Sequence, residues 1–84
     1  MYDIILSEQA LKQLEKLEKT TPERILKVLE RIRIKPETYV TKLAGNFGYK
    51  LRVGDYRVIL DIDSNKLRIS VTKIGHRRNI YNTL

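Results

Sequence analysis

Apolar residues recur along this chain at two periods, one helical and one extended. Through Ala10–Leu17 and Ile25–Ile32 they return every three or four residues, the spacing of one helical face. Ala10, Leu11, Leu14 and Leu17 make the first stripe; Ile25, Val28, Leu29 and Ile32 make the second. Ser7 is placed to cap a helix starting at Glu8. Thr20-Thr21-Pro22 ends that helix and opens the next, with Thr21 as N-cap and Pro22 at the first helical position, and Pro36 stops it. Both stripes are assigned to the core. Leu26 and Ile34 fall off the second stripe and are assigned to a partner-facing surface.

Elsewhere the period is two. Tyr2, Ile4 and Leu6 share one face of a first strand. In YKLRVGDYRVILDID, residues 49–63, alternation runs on both sides of Gly54-Asp55 and predicts two antiparallel strands joined by a two-residue turn. The turn is type II′, or type I′ if both residues take positive φ. That loop length sets Val53 opposite Tyr56, Arg52 opposite Arg57, Leu51 opposite Val58 and Lys50 opposite Ile59. Cross-strand partners share a face, so Leu51, Val53, Tyr56, Val58, Leu60 and Ile62 form an apolar side, and Lys50, Arg52 and Arg57 mark the other. A second turn centred on Ser64-Asn65 places Ile62 opposite Leu67, Leu60 opposite Ile69 and Val58 opposite Val71. The same register sets Asp61 across from Arg68 and Thr72 beside Arg57. Lys35–Gly48 is a connection in which Tyr39-Val40 adds a short extended piece. The expected fold is α+β: an N-terminal strand and a two-helix hairpin packed on one face of a four-stranded, mainly antiparallel sheet, with the opposite face open and basic.

Charge changes how that second face is understood. Two directly opposed arginines repel by roughly 0.2–1 kcal/mol. Either their long side chains splay into solvent, or they are held for a polyanion. The phosphate site is the reading adopted, because donors on rigid strands can be aimed. The net charge of +7 is unevenly spread: residues 1–42 hold nine Lys/Arg and seven Asp/Glu, whereas residues 43–84 hold eight and three. An excess localised in the half with the hairpin is the electrostatic footprint of a nucleic-acid partner. Anionic lipid fits less well, since no helix combines a basic face with a large apolar one.

The 84 residues make one domain, residues 1–84, near the lower limit for a self-sufficient core. Having no cysteine, the chain has no disulfide and no Cys-based metal site or nucleophile. With one histidine, neither a His-based metal centre nor a cofactor is expected. MYDIILSEQ lacks the basic start and apolar length of a signal peptide, and no run approaches a membrane span, so a cytoplasmic location is expected. In the tail, GHRRNIYNTL, Arg77 and Tyr81 are four apart, and one helical turn would align them. With the strand left at Ile74-Gly75, Arg77 folds back beside Arg57. The alternative is a frayed basic terminus with Tyr81 as a packing residue.

The run LAGNFGYKLRVGDYRVILDI, followed after a third strand by IGHRRNIY, resembles the RelE/ParE toxin superfamily, specifically the RelE-type toxins of type II toxin–antitoxin pairs. The likeness covers nearly the whole chain, and GDYRV and the terminal HR-x-x-x-Y are its most specific parts. It implies a RelE-like fold and one of two activities: RelE-type members cleave mRNA in the ribosomal A site, and ParE-type members poison DNA gyrase and lack the nuclease residues. Carried onto this sequence, the RelE-type set is Arg57 on the scissile phosphate, Arg77 after the last strand, and Tyr81 as the tyrosine that activates the RNA 2′-hydroxyl. Lys50 and Arg52 are the basic pair of the preceding strand; Lys50 joins Arg57, Arg77 and Tyr81 in the catalytic set, and Arg52, Lys73 and Arg78 are phosphate contacts. Arg52 stands where studied relatives carry a second lysine; it keeps the charge but is a poor proton carrier. His76 is a further candidate acid or base.

The resemblance implies a metal-independent, ribosome-dependent endoribonuclease. The 2′-hydroxyl attacks the adjacent phosphate, leaving a 2′,3′-cyclic phosphate and a 5′-hydroxyl, with cations around the phosphorane and geometry supplied by the ribosome. The implied partners are a cognate RelB-like antitoxin, mRNA, and the ribosome at its A site and rRNA. The antitoxin is expected as an acidic, partly disordered segment that wraps the helices and covers the basic face. The alternatives are a ParE-like gyrase inhibitor and a non-catalytic nucleic-acid-binding homologue.

Overall fold

Eight elements follow one another along the chain in a computed structural model that describes residues 1–80. They are β1 (Asp3–Leu6), α1 (Glu8–Glu15), α2 (Thr21–Ile32), a 3₁₀ turn (Pro36–Thr38), β2 (Val40–Lys42), β3 (Tyr49–Val53), β4 (Tyr56–Asp63) and β5 (Arg68–His76). The strands form one sheet in the order β1-β5-β4-β3-β2; β1 runs parallel to β5 and every other pair is antiparallel. This is the expected α+β arrangement with a fifth strand. The addition is β2, which extends the piece anticipated at Tyr39-Val40 and pairs Val40 with Leu51 and Lys42 with Tyr49. Three residues are too few to carry an alternation pattern.

The helices cover one face of the sheet. Ser7 caps α1 as expected, its Oγ accepting from the Ala10 N–H at 3.0 Å. Only Ala10 and Leu14 of α1 are buried, and Leu11 is 46% exposed, a correction to its core assignment. Successive helical residues lie about 100° apart, so a short helix over a sheet buries a stripe narrower than its apolar residues allow. α2 starts at Thr21, with Thr20 rather than Thr21 at the N-cap position and Pro22 in its first turn. Lys19, at φ 46°, turns the chain one residue earlier than the Thr-Pro signal suggested. α2 buries Ile25, Leu29 and Ile32, and leaves Leu26 and Ile34 exposed. These side chains pack with Leu51 and Val53 of β3, Val58 and Leu60 of β4, and Ile69, Val71 and Ile74 of β5 in one core.

The β3–β4 hairpin has the expected register, with Arg52 opposite Arg57 and Lys50 opposite Ile59. Gly54 has φ 59° and Asp55 does not take positive φ, the pattern of a type II′ turn. The β4–β5 hairpin departs from expectation. Ile62 faces Ile69, Leu60 faces Val71, Asp61 faces Ser70 and Asp63 faces Arg68. The loop is therefore Ser64–Leu67, held by the Asp63 carboxylate, whose Oδ1 accepts from the Asn65 and Lys66 N–H groups at 3.0 and 3.1 Å. Leu67 takes φ 50° in that loop and is exposed instead of pairing with Ile62.

A bulge then shifts the register between Ile59 and Leu60, so that Ile59 faces Lys73, Val58 faces Ile74, Arg57 faces Gly75 and Tyr56 faces His76. Thr72 is the extra residue and does not reach Arg57. Its inclusion reverses the phase of β5: Ile74 and His76 turn to the helix side, and Lys73 and Gly75 to the outer face. The polar groups of the bulge are satisfied locally. The Thr72 carbonyl accepts from Ser7 Oγ at 3.1 Å, Thr72 Oγ1 donates to the Ile59 carbonyl at 3.2 Å, and the Ile74 N–H donates to Gln13 Oε1 at 2.7 Å. Ser7 thus caps α1 with its lone pair and holds the bulge with its proton.

No helix among the described residues is long and apolar enough to cross a membrane. Because Ser7 serves two structures, Ser7→Ala is expected to lower stability by about 1–2 kcal/mol in urea unfolding. Gln13→Leu, which leaves the buried Ile74 N–H without its acceptor, is expected to cost about 1–3 kcal/mol. Unchanged midpoints for both would mean that the bulge does not depend on α1.

Candidate functional site

The outer face of the sheet is built in three rows set by strand register. Arg52, Arg57 and Gly75 form one row; Lys50, Ile59 and Lys73 form the next; Asp61 and Ser70 lie beyond. Residues in a row share a face because directly opposed positions on neighbouring strands point the same way. Lys73 joins this face only because of the bulge; an unbroken register would turn it toward the helices. The expected contacts Lys50, Arg52, Arg57 and Lys73 therefore lie on one face.

Arg57 is half-buried, and its guanidinium folds back over the turn. Nη1 donates to the carbonyls of Gly54 at 2.9 Å and Tyr56 at 2.8 Å. Both protons of that nitrogen are used, and among the described residues Nε and Nη2 make no hydrogen bond. Nε and Nη2 form the side-on fork that matches two oxygens of a phosphate. The arginine is thus oriented by the fold at one nitrogen and offers a fixed pair of donors at the other two.

Arg77 reaches the same turn by its backbone. Its N–H donates to the Asp55 carbonyl at 2.8 Å, and its Nε lies 3.9 Å from Asp55 Oδ1, an exposed and weak ion pair. β5 runs on to His76, two residues past the expected exit at Ile74-Gly75, and the chain then turns across the end of the β3–β4 hairpin. Arg57 and Arg77 are both attached to Gly54-Asp55, which agrees with the expected fold-back in place if not in route. Arg78 is exposed; its N–H donates to His76 Nδ1 at 3.1 Å, and its side chain makes no hydrogen bond or ion pair among the described residues.

His76 is on the other side of the sheet. It faces Tyr56 on the helix side, with ring centroids 5.5 Å apart in an edge-to-face contact, and its Nδ1 is occupied by the Arg78 N–H. This geometry places it on the face of the sheet opposite Arg57. Tyr81 lies outside the described residues.

Two apolar residues interrupt the basic surface. Ile59 is 2% exposed and Ile80 3% exposed. Both lie apart from the main core, Ile59 on the outer face by register. Ile80 packs where Gly75 has no side chain: a Cβ on Gly75 would lie 3.1 Å from Ile80 Cδ1. The segment after β5 therefore seats on the outer face, which is less open than the sequence suggested. The signal was present in β4, where Ile59 is the one apolar residue at a position that alternation assigns to the polar side. Among the described residues no cluster of His, Cys, Asp or Glu is placed to hold a metal ion.

A family model described as the ParE toxin of the parDE type II toxin–antitoxin system matches residues 4–81, and the chain belongs to that family, within the RelE/ParE superfamily. Among solved structures, the toxin of the intact Escherichia coli RelBE complex is similar at 31% identity and a TM-score of 0.75, over 90% of this chain and 96% of that one. The archaeal RelE–RelB complex of Pyrococcus horikoshii is similar at 30% identity and 0.76, over 90% and 94%. The isolated E. coli RelE toxin is similar at 25% identity and 0.76, over the full length of both chains. No match was found among curated protein sequences.

Because Ile80 is buried against Gly75, Ile80→Ala is expected to lower stability by about 2–5 kcal/mol despite its place near the C-terminus, read as a drop in Tm. A loss below about 0.5 kcal/mol, the range of an ordinary surface substitution, would contradict that packing.

Proposed function

We propose that this toxin is a ribosome-dependent mRNA endonuclease that cleaves in the A site without a metal ion. The observation that carries the reading is the state of Arg57, which lies on the outer face by register and is anchored through Nη1, with Nε and Nη2 making no hydrogen bond among the described residues. In this reading the RNA 2′-hydroxyl attacks the adjacent phosphorus, the P–O5′ bond breaks, and the products are a 2′,3′-cyclic phosphate and a 5′-hydroxyl. Arg57 stabilises the two non-bridging oxygens of the phosphorane, whose charge grows as attack proceeds. Arg77 adds a second cation from the same turn. Lys50, opposite Ile59, adds a further cation of the catalytic set; Lys73, across from Ile59, and Arg52, opposite Arg57, hold the neighbouring phosphates, with Arg78 as an outer contact. Tyr81 takes the 2′-hydroxyl proton, the departing 5′-oxygen takes a proton from solvent, and the ribosome supplies in-line geometry. The place of action is the cytoplasm, where translating ribosomes are.

An antitoxin partner is supported by the matched structures, which include RelE–RelB complexes from a bacterium and an archaeon. An acidic RelB-like segment suits both the net charge of +7 and the exposed apolar residues Leu11, Leu26 and Ile34. The family description favours a second reading, gyrase inhibition of the ParE type, in which the outer face binds without cutting.

Programmed ribosomes with an empty A site, set beside naked mRNA and mapped by primer extension, separate these readings. The wild-type chain is expected to cut only on ribosomes, and Arg57→Ala to cut about 10²–10³-fold more slowly. Cutting by Arg57→Ala at the wild-type rate would refute the role given to Arg57. No cutting by folded wild-type chain, together with gyrase-dependent DNA breaks, would establish the second reading instead.

A further inference from the structure

A second cationic surface lies on the helix side, away from the outer face. α2 carries Arg24, Lys27 and Arg31 at spacings of three and four residues, so they form one stripe about 10 Å long at 1.5 Å rise per residue. With Tyr39, Arg52 and Gly54 they line a groove of about 640 Å³ between α2 and β3, to which Glu23 contributes a single carboxylate. Arg24, Lys27, Arg31 and Arg52 are all exposed, and none makes an ion pair among the described residues. The nearest acidic residue on α2 beyond Glu23 is Glu30, which is engaged by Arg33 at 2.7 Å. Like charges on one helical stripe repel, and Glu23 is the one carboxylate in the lining set against four cations.

The groove joins the outer face at the turn. The guanidinium of Arg24 lies over Gly54, where a Cβ would come within 3.0 Å of both its terminal nitrogens, and the Gly54 carbonyl is one of the two acceptors that hold Arg57. β2 begins opposite Leu51, so Arg52 lies on a stretch of β3 that β2 does not cover; it belongs to the outer face by register and also lines the groove. Positive charge therefore continues from Arg57 around the sheet edge to Arg31.

We infer that the groove along α2 binds a second stretch of single-stranded RNA backbone, continuous with the strand on the outer face. The inference rests on the RNA-directed reading of the outer face and extends it by about three phosphates. An amphipathic peptide is the other polyanionic guest to weigh. It would need apolar pockets, but Leu51 and Val53 are 2% and 4% exposed and Tyr39 is the one exposed large apolar residue in the lining. Phosphates need only the cations, three of them bidentate arginines, and Tyr39 offers a ring on which a base stacks. The exposed Leu11, Leu26 and Ile34 lie outside the groove, so an apolar partner helix has a different surface to use.

The test is the salt dependence of binding between the free full-length protein and a fluorescent 2′-O-methyl RNA oligonucleotide, which cannot be cut and so reports binding alone. For single strands each phosphate contact contributes about 0.7 to the slope of log K against log salt. The combined Arg24→Ala, Lys27→Ala and Arg31→Ala variant is expected to lose about 2 from the wild-type slope, and Arg31→Ala alone about 0.7. All three positions are exposed, and unchanged circular dichroism and Tm would verify the fold. A wild-type slope in the triple variant overturns the inference, as does wild-type protein that binds no RNA at low salt. Loss of affinity for an acidic helical peptide with RNA binding intact also overturns it and makes the groove a protein site. An Arg57→Ala slope reduced while the triple variant is unaffected would leave the outer-face reading standing, so the two failures are separable.

Discussion

The two-residue turn at Gly54-Asp55 is the constraint on which the rest of this structure depends. Its length fixes the register of β3 against β4, and that register forces Arg52 and Arg57 onto directly opposed positions. The repulsion this creates is relieved in part because Arg57 bends onto the turn's own carbonyls. Asp55 receives the chain as it leaves β5, through its backbone carbonyl, and Gly54 leaves room for Arg24. Three arginines from distant parts of the sequence, at positions 24, 57 and 77, converge on two residues that carry little side-chain volume themselves. A small protein with a limited core gains a rigid cationic site this way, since the turn is locked by the sheet and needs no further scaffold.

The bulge at Thr72 is the second device. Without it β5 would continue the phase of Ile69 and Val71, burying Lys73 under the helices and turning Ile74 outward. One inserted residue reverses both, and the unpaired groups that result are taken up by Ser7, the N-cap of α1, and by Gln13 within that helix. The first helix is therefore connected to the composition of the outer face through two hydrogen bonds on the opposite side of the sheet. The same phase change gives His76 its structural role against Tyr56.

The hairpin around Gly54-Asp55 was legible because a two-residue loop leaves one register, and the alternation of Leu51, Val53, Tyr56 and Val58 agrees with it. The next hairpin was not. A slip of two residues preserves which side chains face the core, so pairing Ile62 with Leu67 or with Ile69 satisfies the pattern equally. What decides is the Asp63 carboxylate, which supports a four-residue loop, and the left-handed backbone of Leu67, which a leucine seldom adopts. The bulge left a trace in the sequence, Val71 and Ile74 three apart within a strand, but such a break is also what a strand end looks like. Leu11 was misassigned because the helical stripe states which residues share a face, not how wide a face the sheet covers. For the site, Lys50, Arg52 and Arg57 followed from register alone, whereas the convergence of Arg77 and Arg24 on the turn is tertiary and has no local signature.

If the outer face cuts RNA, the substrate's own 2′-hydroxyl is the nucleophile. The most direct measurement uses ribosomes programmed with an mRNA carrying a single 2′-deoxynucleotide at the A-site position where the all-ribose message is cut, with end-group analysis of the products. Attack by the 2′-hydroxyl predicts that cutting at that position disappears, while the ribose control yields a 2′,3′-cyclic phosphate and a 5′-hydroxyl. Cutting that persists at the deoxy position, or products ending in a 5′-phosphate, would contradict the account.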